Sequence, residues 1–178
     1  MEYIKTFIDG LWIINPLVIK DNRGYFMESY KKAEFEEKIG KVDFIQDNES
    51  ESSFGVFRGL HYQVDEAAQA KLIRVIRGKV WDIAVDIRKT SATFGKYVAI
   101  ELSEENKRHL FISRGFAHGF LVMSETAVFS YKVDNIYSPA HERIINCMDP
   151  DLAIQWPLEL SLICMSEKDK KGKLLKEI

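Results

Sequence analysis

Cysteine is nearly absent. Cys147 and Cys164 are the only two in 178 residues, and they show no metal-ligand spacing. A disulfide framework is not implied, and a reducing compartment fits better. Proline is also scarce, at four residues, and no Gly/Ser tract, repeat or low-complexity block divides the chain. No long apolar run is present. The longest early one, "LWIINPLVI", is interrupted by Asn15 and Pro16 and falls far short of the roughly 20 residues a membrane span needs. Neither charge dominates. Net charge is −2, which argues against a broad footprint for a nucleic-acid backbone. No glycine-rich dinucleotide fingerprint occurs, so no redox cofactor is suggested. The expectation is a single soluble, cytoplasmic domain over residues 1–178, with no membrane or nucleic-acid partner.

Hydrophobic residues make up 46% and charged residues 29%, enough for a sizeable core and a solvated surface. One helix is expected around "KKAEFEEKIG", where Phe35 and Ile39 lie four apart and Gly40 offers a stop. A short helical turn is expected at "SEENKRH", with Ser103 as its cap. The middle of the chain reads as strands. In "VWDIAVDIR", Trp81, Ile83, Val85 and Ile87 alternate with Asp82, Ala84, Asp86 and Arg88, a period of two. "FGKYVAIEL", "HLFIS", "GFLVM" and "AVFSYKV" continue the series at short intervals, which suggests an antiparallel sandwich or barrel. The polar face of the Trp81 strand either meets solvent or lines a wet cavity. Periodicity alone favours solvent, and Asp82 becomes a pocket residue only in the second case.

Two short stretches carry the candidate chemistry. "VFRGLHYQ" sets Arg58 three residues before His61, and Lys71 opens the next strand-like run. Cations beside a histidine favour its neutral, proton-accepting form. "RGFAHGF" sets His118 between small residues that allow close approach by a ligand or by backbone. Tyr131 is either a core tyrosine or a proton donor, and Asp169 lies in a lysine-rich tail. Pattern alone stops at a β-rich pocket protein that binds an anion.

Seven stretches in order make the pattern specific: "DNRGYFMESY", "FIQDNES", "FRGLHYQ", "AKLIRVIRGKVWDIAVDIRKTSATFGKY", "LSEENKRHLFISRGFAHGF", "YKVDNIYSP" and "WPLELSLICMSEKD". Together they resemble the dTDP-4-dehydrorhamnose 3,5-epimerases, cupin-fold enzymes of nucleotide-sugar metabolism. The resemblance implies a mainly β, antiparallel jelly-roll barrel and a homodimer with N-terminal strands exchanged or packed across its interface. It implies a base at His61 paired with Asp169, a proton donor at Tyr131, and Lys71 beside the substrate carbonyl. Substrate contacts implied by the resemblance fall on Arg23, Glu28, Gln46, Asn48, Arg58, Lys71, His118, Tyr137, Glu142 and Lys168. The implied reaction inverts C3 and C5 of a dTDP-4-keto-6-deoxy hexose through an enolate, with no cofactor and no metal. Glu49, Ser113 and the stretch "IINCMDPDL" depart from the family pattern without removing a proposed catalytic side chain. Three alternatives stay open: a sibling enzyme that is a C3-only epimerase or a 3,4-ketoisomerase, a non-catalytic nucleotide-sugar-binding module, and a metal-dependent cupin enzyme. The last is disfavoured because Tyr62 and Gln63 follow His61, leaving no H-x-H pair.

Overall fold

A computed structural model describes residues 1–178. Thirteen strands and one α-helix follow in chain order: β1 (Glu2–Lys5), β2 (Leu11–Asn15), β3 (Val18–Asp21), β4 (Gly24–Met27), α1 (Lys32–Lys38), β5 (Gln46–Ser53), β6 (Phe57–Gln63), β7 (Lys71–Arg77), β8 (Lys79–Asp86), β9 (Tyr97–Ser103), β10 (His109–Ile112), β11 (Phe116–Val122), β12 (Thr126–Val133) and β13 (Glu142–Ile144). Six of these form one antiparallel sheet in the order β1-β2-β10-β7-β12-β5, and five form a second, β13-β6-β11-β8-β9. Apart from β1–β2 and β8–β9, the neighbours are not consecutive in sequence, as in a jelly roll. The expected β architecture is therefore present. The hairpin β3–β4 stands apart as a two-stranded sheet.

Alternation sets what lies between the sheets. On β12, Ala127 and Phe129 join an apolar cluster with Ile73 and Val75 of β7 and Val80 and Ala84 of β8. On the same inward rows sit Tyr131 and Lys71, so the interior grades from apolar to polar along both strands. The helix occurs where its spacing predicts. Phe35 is buried, its carbonyl accepts from the Ile39 amide at 2.9 Å, and Gly40 follows at φ 124°. Phe35 packs edge-on against Phe111 of β10 at 5.1 Å, covering the outer face of the six-stranded sheet.

One local expectation holds and one is corrected. The expected helical turn lies between β9 and β10, where the Lys107 amide donates to Ser103 O at 3.0 Å. Ser103 caps it: its Oγ accepts from the Asn106 amide, and the Asn106 side chain accepts in return from the Ser103 amide and also from that of Arg108. The polar face of β8 does not meet solvent. Asp82 and Asp86 are both 0% exposed. The opposite, apolar face is covered as well, because Ile83 and Val85 pack with Ile145, Leu152, Ile154 and Leu175 of the C-terminal segment. That segment has little regular structure, so no periodicity announces a second layer.

Candidate active site

The two sheets enclose a cavity of about 170 Å³ lined by Ser50, Arg58, His61, Lys71, His118, Phe120, Phe129 and Tyr131. Arg58, His61, His118 and Phe120 come from the five-stranded wall. Ser50, Lys71, Phe129 and Tyr131 come from the six-stranded wall. Strands β6 and β11 bring the two histidines side by side: His118 is the register partner of His61, and the register shifts just beyond, before Phe120. Glycines make this approach possible. A Cβ on Gly59 would lie 2.5 Å from Gly119 Cα, and Gly59 has a φ of 148° that side chains disfavour.

His61 Nε2 lies 2.6 Å from Asp169 Oδ1. A carboxylate only accepts, so Nε2–H donates to Asp169 and the other ring nitrogen, Nδ1, is left as the acceptor. Asp169 is buried at 4% exposure, in a 3-10 turn, and its backbone N–H donates to Ser166 Oγ. Burial would raise its carboxyl, but the hydrogen bond and charge of His61 win and hold it below the usual carboxylate range. His118 makes the parallel bond to Asp82, with Nε2 at 2.9 and 3.0 Å from the two carboxylate oxygens. Burial, Lys71 and His61 keep its imidazole less basic than usual, against the pull of Asp82.

Across the cavity, burial lowers Lys71 to about 8, with Asp82 and Glu142 opposing. Its Nζ sits 5.9 Å from the centre of the Tyr131 ring. Burial raises the Tyr131 phenol, with Arg58 opposing, so the phenol keeps its proton at neutral pH. Its ring leans on Phe129, which stacks on Phe120 at 3.9 Å. Arg58 is steadied by Nε donating to Ser52 Oγ at 2.9 Å.

The remaining predicted residues fall into three groups. Asn48 is the register partner of Tyr131 on β5, and its side chain accepts from Gln46 at 2.7 Å. Glu142 lies on β13, which pairs with β6 so that Ile144 meets His61. Its Oε2 accepts from the Tyr137 hydroxyl at 2.9 Å and pairs with Lys168. These two bonds overcome burial and keep the Glu142 carboxyl below its usual range. Arg23 and Glu28 are not brought to the cavity by this single chain. Arg23 is 85% exposed at the tip of the β3–β4 hairpin, paired with Asp21 at 2.6 Å, and Glu28 lies just beyond it, 3.6 Å from Lys31. Sequence reasoning did not select Asp82 as a site residue, although its place on the polar face of β8 was the available signal. Ser50, Phe120 and Phe129 carried no signal of their own. A second cavity of about 220 Å³ touches β7, β10 and β12 at Arg74, His109 and Lys132, but none of the paired histidines borders it.

An imidazole backed by a carboxylate, facing a protonated phenol across a cavity that also holds a lysine, is the arrangement of a jelly-roll acid–base site. The family model described as dTDP-4-dehydrorhamnose 3,5-epimerase matches residues 5–177, and the chain belongs to that family. It is 52% identical to the dTDP-4-dehydrorhamnose 3,5-epimerase of Shigella flexneri, over 97% of this chain and 94% of that protein. The crystal structure of a dTDP-6-deoxy-D-glucose-3,5-epimerase from Legionella pneumophila, in complex with dTDP-4-keto-L-rhamnose, superposes with a TM-score of 0.95 at 48% identity, covering 99% of this chain and 94% of that one. A 3′-monoepimerase from Streptomyces bikiniensis in complex with dTDP-quinovose is similar at a TM-score of 0.90 and 31% identity, covering 96% of this chain and 86% of that one.

Proposed function

We propose that this chain is a dTDP-4-dehydrorhamnose 3,5-epimerase, an isomerase that inverts C3 and C5 of dTDP-4-dehydro-6-deoxy-D-glucose on the route to dTDP-L-rhamnose. The observation that carries the mechanism is the placement of His61 and Tyr131 on facing sheets of one cavity. Hydrogens on C3 and C5 flank the C4 carbonyl and are acidic for that reason. His61 Nδ1 takes such a proton from one face. Asp169 accepts from Nε2–H, orients the ring and stabilises the imidazolium that forms. The electron pair moves into an enolate whose charge sits on the C4 oxygen. The Lys71 ammonium stabilises that charge; a preorganised donor of this kind is typically worth roughly 3–4 kcal/mol. Tyr131 then returns a proton to the opposite face of the carbon; solvent reprotonates the phenolate and takes up the proton that the His61 imidazolium releases. The hydrogen moves as a proton, so the steps balance without a redox cofactor, and none of them calls on a metal. Arg58, with its fixed fork of donors, suits the pyrophosphate. Tyr137, half-exposed and hydrogen-bonded to Glu142, offers a flat face for the thymine.

The same reading accounts for Arg23 and Glu28. They belong to a hairpin region that exposes Leu17, Ile19, Tyr25 and Phe26, each more than half accessible. Unpartnered apolar side chains of this kind mark an interface. We assign the hairpin to a homodimer in which it meets the partner subunit and carries Arg23 and Glu28 toward the partner's cavity. No helix is long and apolar enough to cross a membrane. A cytoplasmic enzyme without nucleic-acid partners fits the balanced charge.

Incubation with dTDP-4-keto-6-deoxyglucose in D2O tests the reaction directly. Deuterium at both C3 and C5, with inversion at both, is the expected result. Label and inversion at C3 alone would reassign the chain to the mono-epimerases. No label at either carbon would overturn the epimerase reading.

A further inference from the structure

The proposed proton transfer leaves one buried pair on the cavity wall unused. Asp82 is 0% exposed, and the only hydrogen-bond partner of its carboxylate in the chain is His118 Nε2. Both carboxylate oxygens face that nitrogen, and a carboxylate cannot donate, so Nε2 carries the hydrogen. His118 Nδ1 has no partner in the chain, although the residue lines the cavity. The ring is held neutral by its burial beside Lys71 and His61. Nδ1 is then a bare acceptor. The polar neighbours on the same cavity, Arg58, Lys71, Tyr131 and Ser50, are all able to donate. A substrate atom that satisfies Nδ1 must itself donate. A carbonyl oxygen, a fluorine or a C–H group cannot, whereas a sugar hydroxyl can.

We propose that Asp82 is a positioning residue that fixes the Nε2–H tautomer of His118, so that Nδ1 accepts a hydrogen bond from the 2- or 3-hydroxyl of the sugar and selects hydroxylated over deoxygenated substrates. The inference rests on the epimerase reading for the nature of the ligand. His118 is the strand partner of His61, so this bond also fixes how the ring sits relative to the base. The logic is that of a carboxylate that holds a histidine in one tautomer, where the wrong tautomer costs activity although the geometry survives.

The first measurement is nitrogen-15 NMR of the substrate-free wild-type protein with labelled histidine. His118 should show a protonated Nε2 and an unprotonated Nδ1. A protonated Nδ1, in the other tautomer or in an imidazolium, overturns the proposal. The second measurement needs no variant. The 2-deoxy and 3-deoxy analogues both retain the C4 carbonyl and C5–H, so deuterium exchange at C5 reports on each. One of them should lose roughly tenfold or more in kcat/KM; equal use of both with the parent sugar overturns the proposal. The third is Asp82→Ala, which should raise KM for the parent sugar by roughly tenfold while exchange at saturation changes by only a few-fold, the signature of binding lost equally from ground and transition states. The deoxy analogue that wild type disfavours should lose nothing further in Asp82→Ala. An unchanged KM, or an additive loss, counts against the assignment. Absence of exchange in wild type would instead sink the epimerase reading, and the tautomer of His118 would still decide the role of Asp82.

Discussion

His61 and His118 face each other across adjacent strands, and each gives its Nε2–H to a carboxylate, yet the two pairs are built differently. His61 keeps 32% of its side chain accessible and meets Asp169 through one oxygen at 2.6 Å. His118 keeps 7%, and Asp82 engages it with both oxygens from complete burial. A base must gain and lose charge, so it profits from a solvated edge and one short bond that strengthens as the imidazolium forms. A group that reads a hydroxyl profits from the opposite, a ring that stays neutral and still. The contrast fits the proposed roles, proton transfer for the first pair and orientation for the second.

Removal of the base tests that division most severely. His61→Ala should lower both inversion and deuterium wash-in by about 10²–10⁴-fold, the usual worth of a general base. His118→Ala should retain exchange at saturating substrate. The reverse outcome, read by NMR of the sugar protons, would exchange the roles of the two pairs. Tyr131→Phe comes next. It keeps the ring on Phe129 but removes the proton, so inversion should fall by roughly 10²-fold while exchange at the face His61 addresses continues. Loss of both together would place Tyr131 in enolate formation instead.

The alkaline pH dependence gives a smaller effect with a definite sign. Burial lowers Lys71 from 10.5 to about 8. If its ammonium stabilises the C4 oxygen, kcat/KM should fall as pH rises through about 8, approaching tenfold per unit. Stability should move the other way. Between about 8 and 10.5 the unfolded chain holds a proton that the folded chain has released, so unfolding free energy rises with pH across that window. A chemical denaturation series run beside the kinetics separates the two. Parallel decline of both would show that unfolding, not Lys71, sets the limb.

How much of this was legible in the sequence depends on where each residue gets its neighbours. The strand at Trp81 and the helix at Phe35 were readable because period two and period four are local. "RGLH" announced a cation and a base because they lie within four residues. The burial of Asp82 was not readable, since the layer over the other face of its strand comes from residues 145–175, which have no periodicity. Asp169 looks like a solvated charge among lysines, and only the family resemblance placed it beside His61. In the structure its 3-10 turn packs against β6, and the chain then continues parallel to the end of β13. Arg23 and Glu28 are legible as site residues by resemblance alone, because the chain by itself leaves their hairpin outside the cavity.

That tail supplies the smallest expected effect on catalysis and the finest test of the two-pair comparison. After Asp169 the chain lies beside β13. The Lys173 amide donates to Ile144 O at 2.9 Å, Lys173 O accepts from the Asn146 amide at 2.8 Å, and the Leu175 amide donates to Asp149 Oδ2 at 2.6 Å. Leu175 is 8% exposed and packs in the same apolar cluster as Phe57, Leu60 and Ile83. Leu175→Ala should cost about 2–3 kcal/mol, the low end for a large-to-small core change because the site borders the surface. The readout is the midpoint of thermal or urea unfolding. A looser tail holds Asp169 less firmly, so exchange at saturation should fall by a few-fold at temperatures where the protein stays folded. The Asp82–His118 pair lies on β8 and β11, on the face of β8 opposite the one that Leu175 covers. Its tautomer signal and the KM for the sugar should stay as they are. If Leu175→Ala disturbed both pairs equally, the two would belong to one cooperative unit, and the division between a mobile base and a fixed reader would not hold.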